Sequence, residues 1–151
     1  MPANFETARL QLGIDNYAIR AFGWKAPQLI DYAASLALDV LMISDVDSFE
    51  RHDEVYLRDL RKRAEDSGLQ LQAGMLSICP TSSMFDARRG AAAEQLRQTI
   101  RIAPGIGSPI ARCVLGIVGD RRSTGGIAAR IAETVAVLRE VRSFAVDHGI
   151  K

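Results

Sequence analysis

The sequence predicts an α/β protein in which four strands alternate with four helices and form a parallel sheet. Apolar runs suited to strands begin near residues 10, 39, 69 and 110, and a helical pattern of apolar residues follows each of them. Strict alternation implies right-handed crossovers between parallel strands. The same order of elements builds either an open doubly wound sheet or a closed eight-stranded barrel, and periodicity does not choose between them.

The first unit consists of a strand over residues 10–15, a loop, and a helix that begins at Pro27. Proline suits the first helical turn, where its missing N–H has no intrahelical partner. Helical spacing then predicts one buried face, made of Leu29, Ile30, Ala33, Leu36 and Ala37.

The second unit is a short apolar strand over residues 40–44 and a helix over residues 53–67. The strand is of the kind found where a sheet is covered on both faces. A solvated helix face is predicted by two pairs in which an acidic residue precedes an arginine by four positions, Glu54 with Arg58 and Asp59 with Arg63. Gly68 is placed to end this helix in the left-handed conformation.

The third unit is a strand over residues 69–78 and a helix over residues 90–102. Residues 104–109, with two prolines and two glycines, separate it from a fourth strand over residues 110–118. The last helix follows Gly125 and Gly126. Its apolar stripe is predicted to face the core and consists of Ile127, Ile131, Val135, Leu138, Val141 and Ala145.

Composition excludes several classes of function. The 151 residues carry 19 Lys plus Arg against 18 Asp plus Glu and are 48% apolar, which fits one globular domain over residues 1–151. This charge balance argues against a general nucleic-acid binder, and no apolar run suits a membrane span or a signal core. Cys79 and Cys113 lack zinc-type spacing, so we expect reduced, buried thiols in a cytoplasmic protein.

Three short segments carry a resemblance to a known family. They are LGIDNY at residues 12–17, LDVLMISD at residues 38–45 and AVDHGIK at residues 145–151. Together they resemble the sugar phosphate isomerase/epimerase family, whose members are similar to xylose isomerase in fold. The resemblance implies a TIM barrel of which this chain is the N-terminal (βα)4 half, truncated as a fifth strand begins near Ile150. At about 35 residues per unit, eight units would need about 280 residues, within the range of such barrels.

The resemblance also implies where the chemistry lies. In that family a divalent metal ion (Mn, Mg, Co or Zn) is held by a Glu, an Asp, a His and a Glu on the later strands. It follows from the resemblance that this chain holds no metal, and that isomerase or epimerase activity on a carbohydrate belongs to a longer parent protein. Two alternatives stay open, a self-contained α/β binding module and a half-barrel homodimer without catalysis. Neither a nucleic acid nor a membrane is an expected partner.

Functional residues are expected at the carboxyl ends of the strands in either architecture. Asn16, Tyr17, Ser44 and Asp45 follow the first two strands and are the candidates for lining a substrate pocket. For Asp45, a capping carboxylate is the commoner role. The later strand exits offer Ser77, Cys79, Asp120 and Arg121.

The loop GDRRSTGG at residues 119–126 is a candidate phosphate site, in which Arg121 and Arg122 precede a helix N-terminus. It does not match the P-loop pattern, and a polar connection is the commoner explanation. His52 and His148 are interpreted as structural, because neither has a partner at metal-ligand spacing. His148 also lies at a helix C-terminus, where the helix dipole favours a cation.

Overall fold

Four parallel strands lie side by side in the order in which they occur along the chain: Gly13–Asp15 (β1), Val40–Ile43 (β2), Gln70–Ser77 (β3) and Ala111–Val114 (β4). The computed structural model describes residues 10–150, so residues 1–9 and Lys151 of the predicted domain lie outside the described residues. A doubly wound sheet reverses its strand order at a switch point, whereas this order has no reversal. The predicted half-barrel is therefore confirmed in place of the doubly wound alternative.

Within the described part of the chain, four α-helices follow the strands: Ala26–Ser35 (α1), Glu54–Asp66 (α2), Ala92–Gly105 (α3) and Gly126–Asp147 (α4). Successive helices contact one another, and α1, α2 and α3 also contact the sheet, so the helices form one layer. Short 3-10 helices lie at the strand exits: Asn16–Phe22, Val46–Ser48, Ala87–Arg89 and Val118–Arg122. Because the strands are parallel, these exits meet at one edge of the sheet.

The core lies between the sheet and the helix layer. In β2, Leu41 and Ile43 are fully buried, while Val40 and Met42 point to the opposite face and are half-buried. That opposite face is the inner face of a barrel. The register pairs Met42 of β2 with Asp15 of β1, and Gly74 of β3 with Arg112 of β4. These four positions lie on the inner face of the sheet.

The predicted face of α1 is confirmed at Leu29, Ile30 and Ala33, which are buried. It is wrong at Leu36 and Ala37, which are exposed because the helix ends at Ser35. A left-handed residue in the following turn, with φ of 53° at Ala37, redirects the chain into β2.

The solvated face predicted on α2 is confirmed, because Glu54, Arg58, Asp59 and Arg63 are all exposed, but the arginines do not pair as their spacing suggests. Arg63 pairs with Asp31 of α1 at 2.6 Å instead of with Asp59, and no ion pair joins Glu54 to Arg58 within residues 10–150. A long arginine side chain can reach a neighbouring helix as easily as the next turn of its own. Gly68 follows the end of α2 and has the predicted left-handed conformation, with φ of 71°.

The predicted inner face of α4 is confirmed at Val141, which is buried, and at Val135 and Ala145, which are half-buried, but it is wrong at the other three positions. Ile127, Ile131 and Leu138 are 42%, 48% and 43% exposed. The buried side chains of this helix are Arg130, Thr134 and Val141. Part of the apolar stripe therefore lies away from the elements that pack against this helix, chiefly α3 and the preceding loop.

The remaining differences are smaller. The helix α3 begins two residues later than predicted and continues to Gly105, with Pro104 in its last turn. Both cysteines are free; Cys79 is buried as predicted, but Cys113 is only half-buried. Within residues 10–150, no helix is long and apolar enough to cross a membrane.

Candidate functional site

A cavity of about 200 Å³ opens at the exits of β1 and β2. Its lining includes all four candidates for the substrate pocket, Asn16, Tyr17, Ser44 and Asp45. Trp24 adds an aromatic wall, and its ring stacks on Phe22 with centroids 4.4 Å apart. The structure thus brings the four candidates together at one place, while their role in binding stays a prediction.

The polar side of this cavity is ordered by side chains that follow β1. The backbone N–H of Ser44 donates to Oδ1 of Asn16 at 2.8 Å, and Nδ2 of Asn16 donates to Oγ of Ser48 at 3.1 Å. Asn16 and Ser44 are only 7% and 2% exposed. Buried polar groups held in this way are fixed in orientation, since breaking one bond would leave a donor or acceptor unsatisfied.

Asp15 connects this arrangement to the sheet. Its Oδ1 accepts from Oγ of Ser44 at 2.7 Å and from the N–H of Tyr17 at 2.9 Å. The Oδ2 of the same carboxylate accepts from Nη2 of Arg112, and this nitrogen also lies 3.0 Å from Oγ of Ser44. Sequence reasoning missed Arg112, because residues 110–118 were treated as an apolar strand. The available signal was a charged residue in the middle of that run.

Asp45 has the capping role that is the commoner one for a carboxylate at this position. Its Oδ1 accepts from the N–H of Asp47 at 3.0 Å and from Nη1 of Arg89 at 3.2 Å. Arg89 also pairs with the carboxylate of Asp47. The loop after β3 is therefore attached to the loop after β2 by one arginine, beside the cavity.

Asp120 joins the exits of β3 and β4. Its carboxylate accepts from Oγ of Ser82 at 2.7 Å, from the N–H of Ile117 at 2.9 Å, and from the N–H and Oγ of Ser83. These hydrogen bonds, that of Ser82 above all, hold the pKa of Asp120 well below its usual range. A Cβ at Gly116 would lie 2.2 Å from the same carboxylate, so glycine is required there.

The candidate phosphate residues lie apart from the first cavity. Arg121 and Arg122 are exposed, and Arg121 lines a second cavity of about 230 Å³ that shares no lining residue with the cavity beside Asn16. Arg130 also lines the second cavity, but its Nη1 donates to the carbonyl of Thr81 at 3.0 Å. Phosphate binding at this loop stays a prediction.

The other candidates make structural contacts. Oγ of Ser77 donates to the carbonyl of Leu115 at 3.0 Å, and Sγ of Cys79 donates to Oε2 of Glu133 at 3.0 Å. His52 lies 3.3 Å from the carbonyl of Val46, and His148 lies 2.8 Å from the carbonyl of Phe144. These contacts join loops and helix ends.

The side chains of the described chain do not fit a divalent metal. Within residues 10–150 there is no group of three or more His, Cys, Asp or Glu that could hold such an ion. Hard cations need several free oxygen ligands, but the strand-exit carboxylate of Asp15 is paired with Arg112, and those of Asp45 and Asp47 with Arg89.

Fold and site together define half of a parallel (βα)8 barrel with polar side chains at its strand exits. Solved structures with this fold include a D-psicose 3-epimerase in the presence of D-fructose, with 20% identity and a TM-score of 0.66. A D-psicose 3-epimerase from Clostridium cellulolyticum H10 with D-tagatose has 17% identity and a TM-score of 0.64. A xylose isomerase domain protein from Planctomyces limnophilus has 13% identity and a TM-score of 0.62.

These structures match nearly the whole chain but only half of a barrel. The matches cover 94%, 93% and 96% of this chain, and 50%, 50% and 53% of the three solved chains, in the same order. No protein-family model matches the chain, and no curated protein matches it significantly. The comparisons confirm the xylose isomerase-like fold that the sequence resemblance implied, and the chain spans about half the length of the proteins that share it.

Proposed function

We propose that this chain is the N-terminal half of a metal-dependent sugar or sugar phosphate isomerase or epimerase, that it binds carbohydrate at the exits of β1 and β2, and that it has no catalysis alone. The cavity beside Asn16 carries this proposal. Sugar hydroxyls both donate and accept hydrogen bonds, which suits the amide of Asn16 and the hydroxyls of Ser44 and Ser48. The aromatic walls suit the C–H faces of a sugar.

Proton transfer beside a sugar carbonyl requires a base, and a metal ion supplies stabilisation of the developing oxyanion. We assign the base and the metal ion to the other half of the barrel, because the strand-exit carboxylates of this chain are bound to arginines. The chain's own part is then to hold and orient the hydroxyls remote from the reacting carbons. A cytoplasmic location stays a prediction.

The test is to titrate a ketose into the 151-residue chain and to follow binding by the changes in amide chemical shifts. D-Fructose and D-tagatose should perturb Ser44, Asn16 and Trp24, and Ser44→Ala should weaken binding by about fivefold through the loss of one hydroxyl contact. Ser35→Ala, an exposed serine at the end of α1, is the matched control. Shifts scattered over the surface, or equal affinities of the two variants, would refute the carbohydrate site.

A second titration tests the candidate phosphate site at residues 119–126. If Arg121 and Arg122 hold a phosphate, inorganic phosphate should perturb the amides of residues 119–126, and changing both arginines to Ala should abolish that effect. The affinity for D-fructose itself should not change, since the two cavities share no lining residue.

A second candidate function is the half-barrel homodimer without catalysis. It is favoured by the exposed apolar residues on α4 and by the outer position of β1 and β4 in the described sheet. A two-fold axis along the strands would pair β4 of one copy with β1 of the other and give eight parallel strands. Sedimentation of the chain distinguishes a dimer from a monomeric binding module and from an aggregating half-barrel.

A further inference from the structure

Arg112 crosses the inner face of the sheet. It belongs to β4, yet its guanidinium reaches Asp15 at the end of β1 and Ser44 at the exit of β2. Gly74 is its register partner on the intervening strand, and a Cβ there would lie 3.2 Å from Cα of Ser44. Glycine at this position removes the side chain that would project between Arg112 and the first two strands.

The groups that Arg112 holds are the ones that shape the cavity. Ser44 lines the cavity and has its hydroxyl between Nη2 of Arg112 and Oδ1 of Asp15. Its backbone N–H in turn fixes the amide of Asn16. Arg112 and Asp15 do not line the cavity themselves, so any effect of Arg112 on a ligand there is transmitted through Ser44 and Asn16.

We propose that Arg112 is a positioning residue for the carbohydrate pocket at the exits of β1 and β2. The proposal rests on the proposed function and deepens it. One guanidinium nitrogen, Nη2, serves a carboxylate and a hydroxyl at once, and its two hydrogens, fixed in the plane of the guanidinium, set the directions of both contacts. A lysine would keep the charge but would not reproduce that geometry, so Arg112→Lys should retain the fold while loosening Ser44.

The first experiment measures order at the pocket without any ligand. In Arg112→Met, hydrogen exchange of the Ser44 amide should accelerate by about tenfold, and the side-chain amide signals of Asn16 should move towards random-coil positions. Arg97→Met is the matched control, because Arg97 pairs with Glu140 at 3.0 Å between α3 and α4. Its loss should change stability little, because the ion pair is partly exposed, and should leave exchange at Ser44 unchanged. Unchanged exchange at Ser44 in a folded Arg112→Met chain overturns the proposal.

The second experiment measures D-fructose affinity in the same proteins. Binding should weaken by about fivefold in Arg112→Met and by less in Arg112→Lys, with Arg97→Met equal to the unmodified chain. Equal affinity in all variants overturns the positioning role even if the sugar binds. If the unmodified chain does not bind D-fructose, the proposed function fails, and the exchange measurement still decides whether Arg112 orders the pocket. If Arg112→Met does not fold, Arg112→Lys provides both comparisons.

Discussion

The first and fourth strand–helix units have similar apolar patterns but very different surroundings. Ile30 of α1 is completely buried between β2 and α2, whereas Ile131 of α4 is 48% exposed. Both residues belong to stripes with helical spacing. Helical spacing of apolar residues therefore predicts a helix reliably, but the burial of those residues depends on which other elements pack against the helix.

The side chains that α4 buries are mixed in polarity, with Arg130 and Thr134 beside the apolar Val141. Arg130 is 6% exposed and donates to the carbonyl of Thr81, and Thr134 is buried beside it along the helix. The fourth unit is thus attached to the third by hydrogen bonds at the loops together with apolar packing at Val141, whereas the first unit is held by apolar packing. The two attachments should respond differently to mutation and to pH.

The largest expected effect is a difference in stability between variants of the first and the fourth strand–helix unit. Ile30→Ala should lower the free energy of unfolding by about 2 to 5 kcal/mol, because it leaves a cavity in the core. Ile131→Ala should lower it by less than about 1 kcal/mol, since the side chain is half in water already. Urea unfolding of both variants measures the difference. Equal losses would mean that the apolar face of α4 is covered in solution.

A second, smaller effect concerns pH. The pKa of Asp120 in the folded chain lies below the unfolded value of about 3.9, so its stabilising contribution is complete above that value and is lost as pH falls towards the folded-state pKa. Asp120→Asn should therefore be less stable than the unmodified chain at neutral pH, and the two unfolding midpoints should converge in acid.

Asp86 is the matched control for this pH dependence. A hydrogen bond from Arg88 lowers the pKa of Asp86 to about 2, but the pair lies at the surface, where salt screens it. High salt should abolish the effect of Asp86→Asn and leave most of that of Asp120→Asn. Identical salt dependence would contradict a loop attachment built from hydrogen bonds to Ser82, Ser83 and Ile117.

The smallest effect on stability is expected at the surface of α4. Ile131→Glu should change the free energy of unfolding by less than about 0.5 kcal/mol but should reduce self-association, because a charge interrupts the exposed apolar face. Val55→Glu on α2 changes a similarly exposed apolar residue and should leave association unchanged. Sedimentation velocity measures both. Loss of association in the two variants alike would refute an interface at α4.

The sequence predicted the fold because its signals are local. Pro27 lies in the first turn of α1, Gly68 has the left-handed conformation expected after α2, and four apolar runs contain the four described strands. The inner face of α4 could not be predicted in the same way. Its orientation depends on Arg130 reaching the loop after β3, a contact between residues 49 positions apart.

The candidate site was predictable in part. Asn16, Tyr17, Ser44 and Asp45 were identified because parallel strands end at one edge, and they do line one cavity. Arg112 was not identified, since its relation to Asp15 follows from strand order and register rather than from spacing. Nor could the sequence show that Arg89 and Arg112 occupy the carboxylates at the strand exits.

The contact between Arg112 and Asp15 also has a consequence for the order of folding. It joins residues 97 positions apart, so closing that loop before the intervening strands have paired would have a high entropic cost. Contacts of such long range form late. During refolding, the amide of Ser44 should gain protection from exchange only with β4, after β2 and β3 are protected, which pulsed hydrogen exchange can follow. The cavity beside Asn16 would then be the last part of the sheet to mature, and in a nascent chain it would take shape only after the fourth strand had docked.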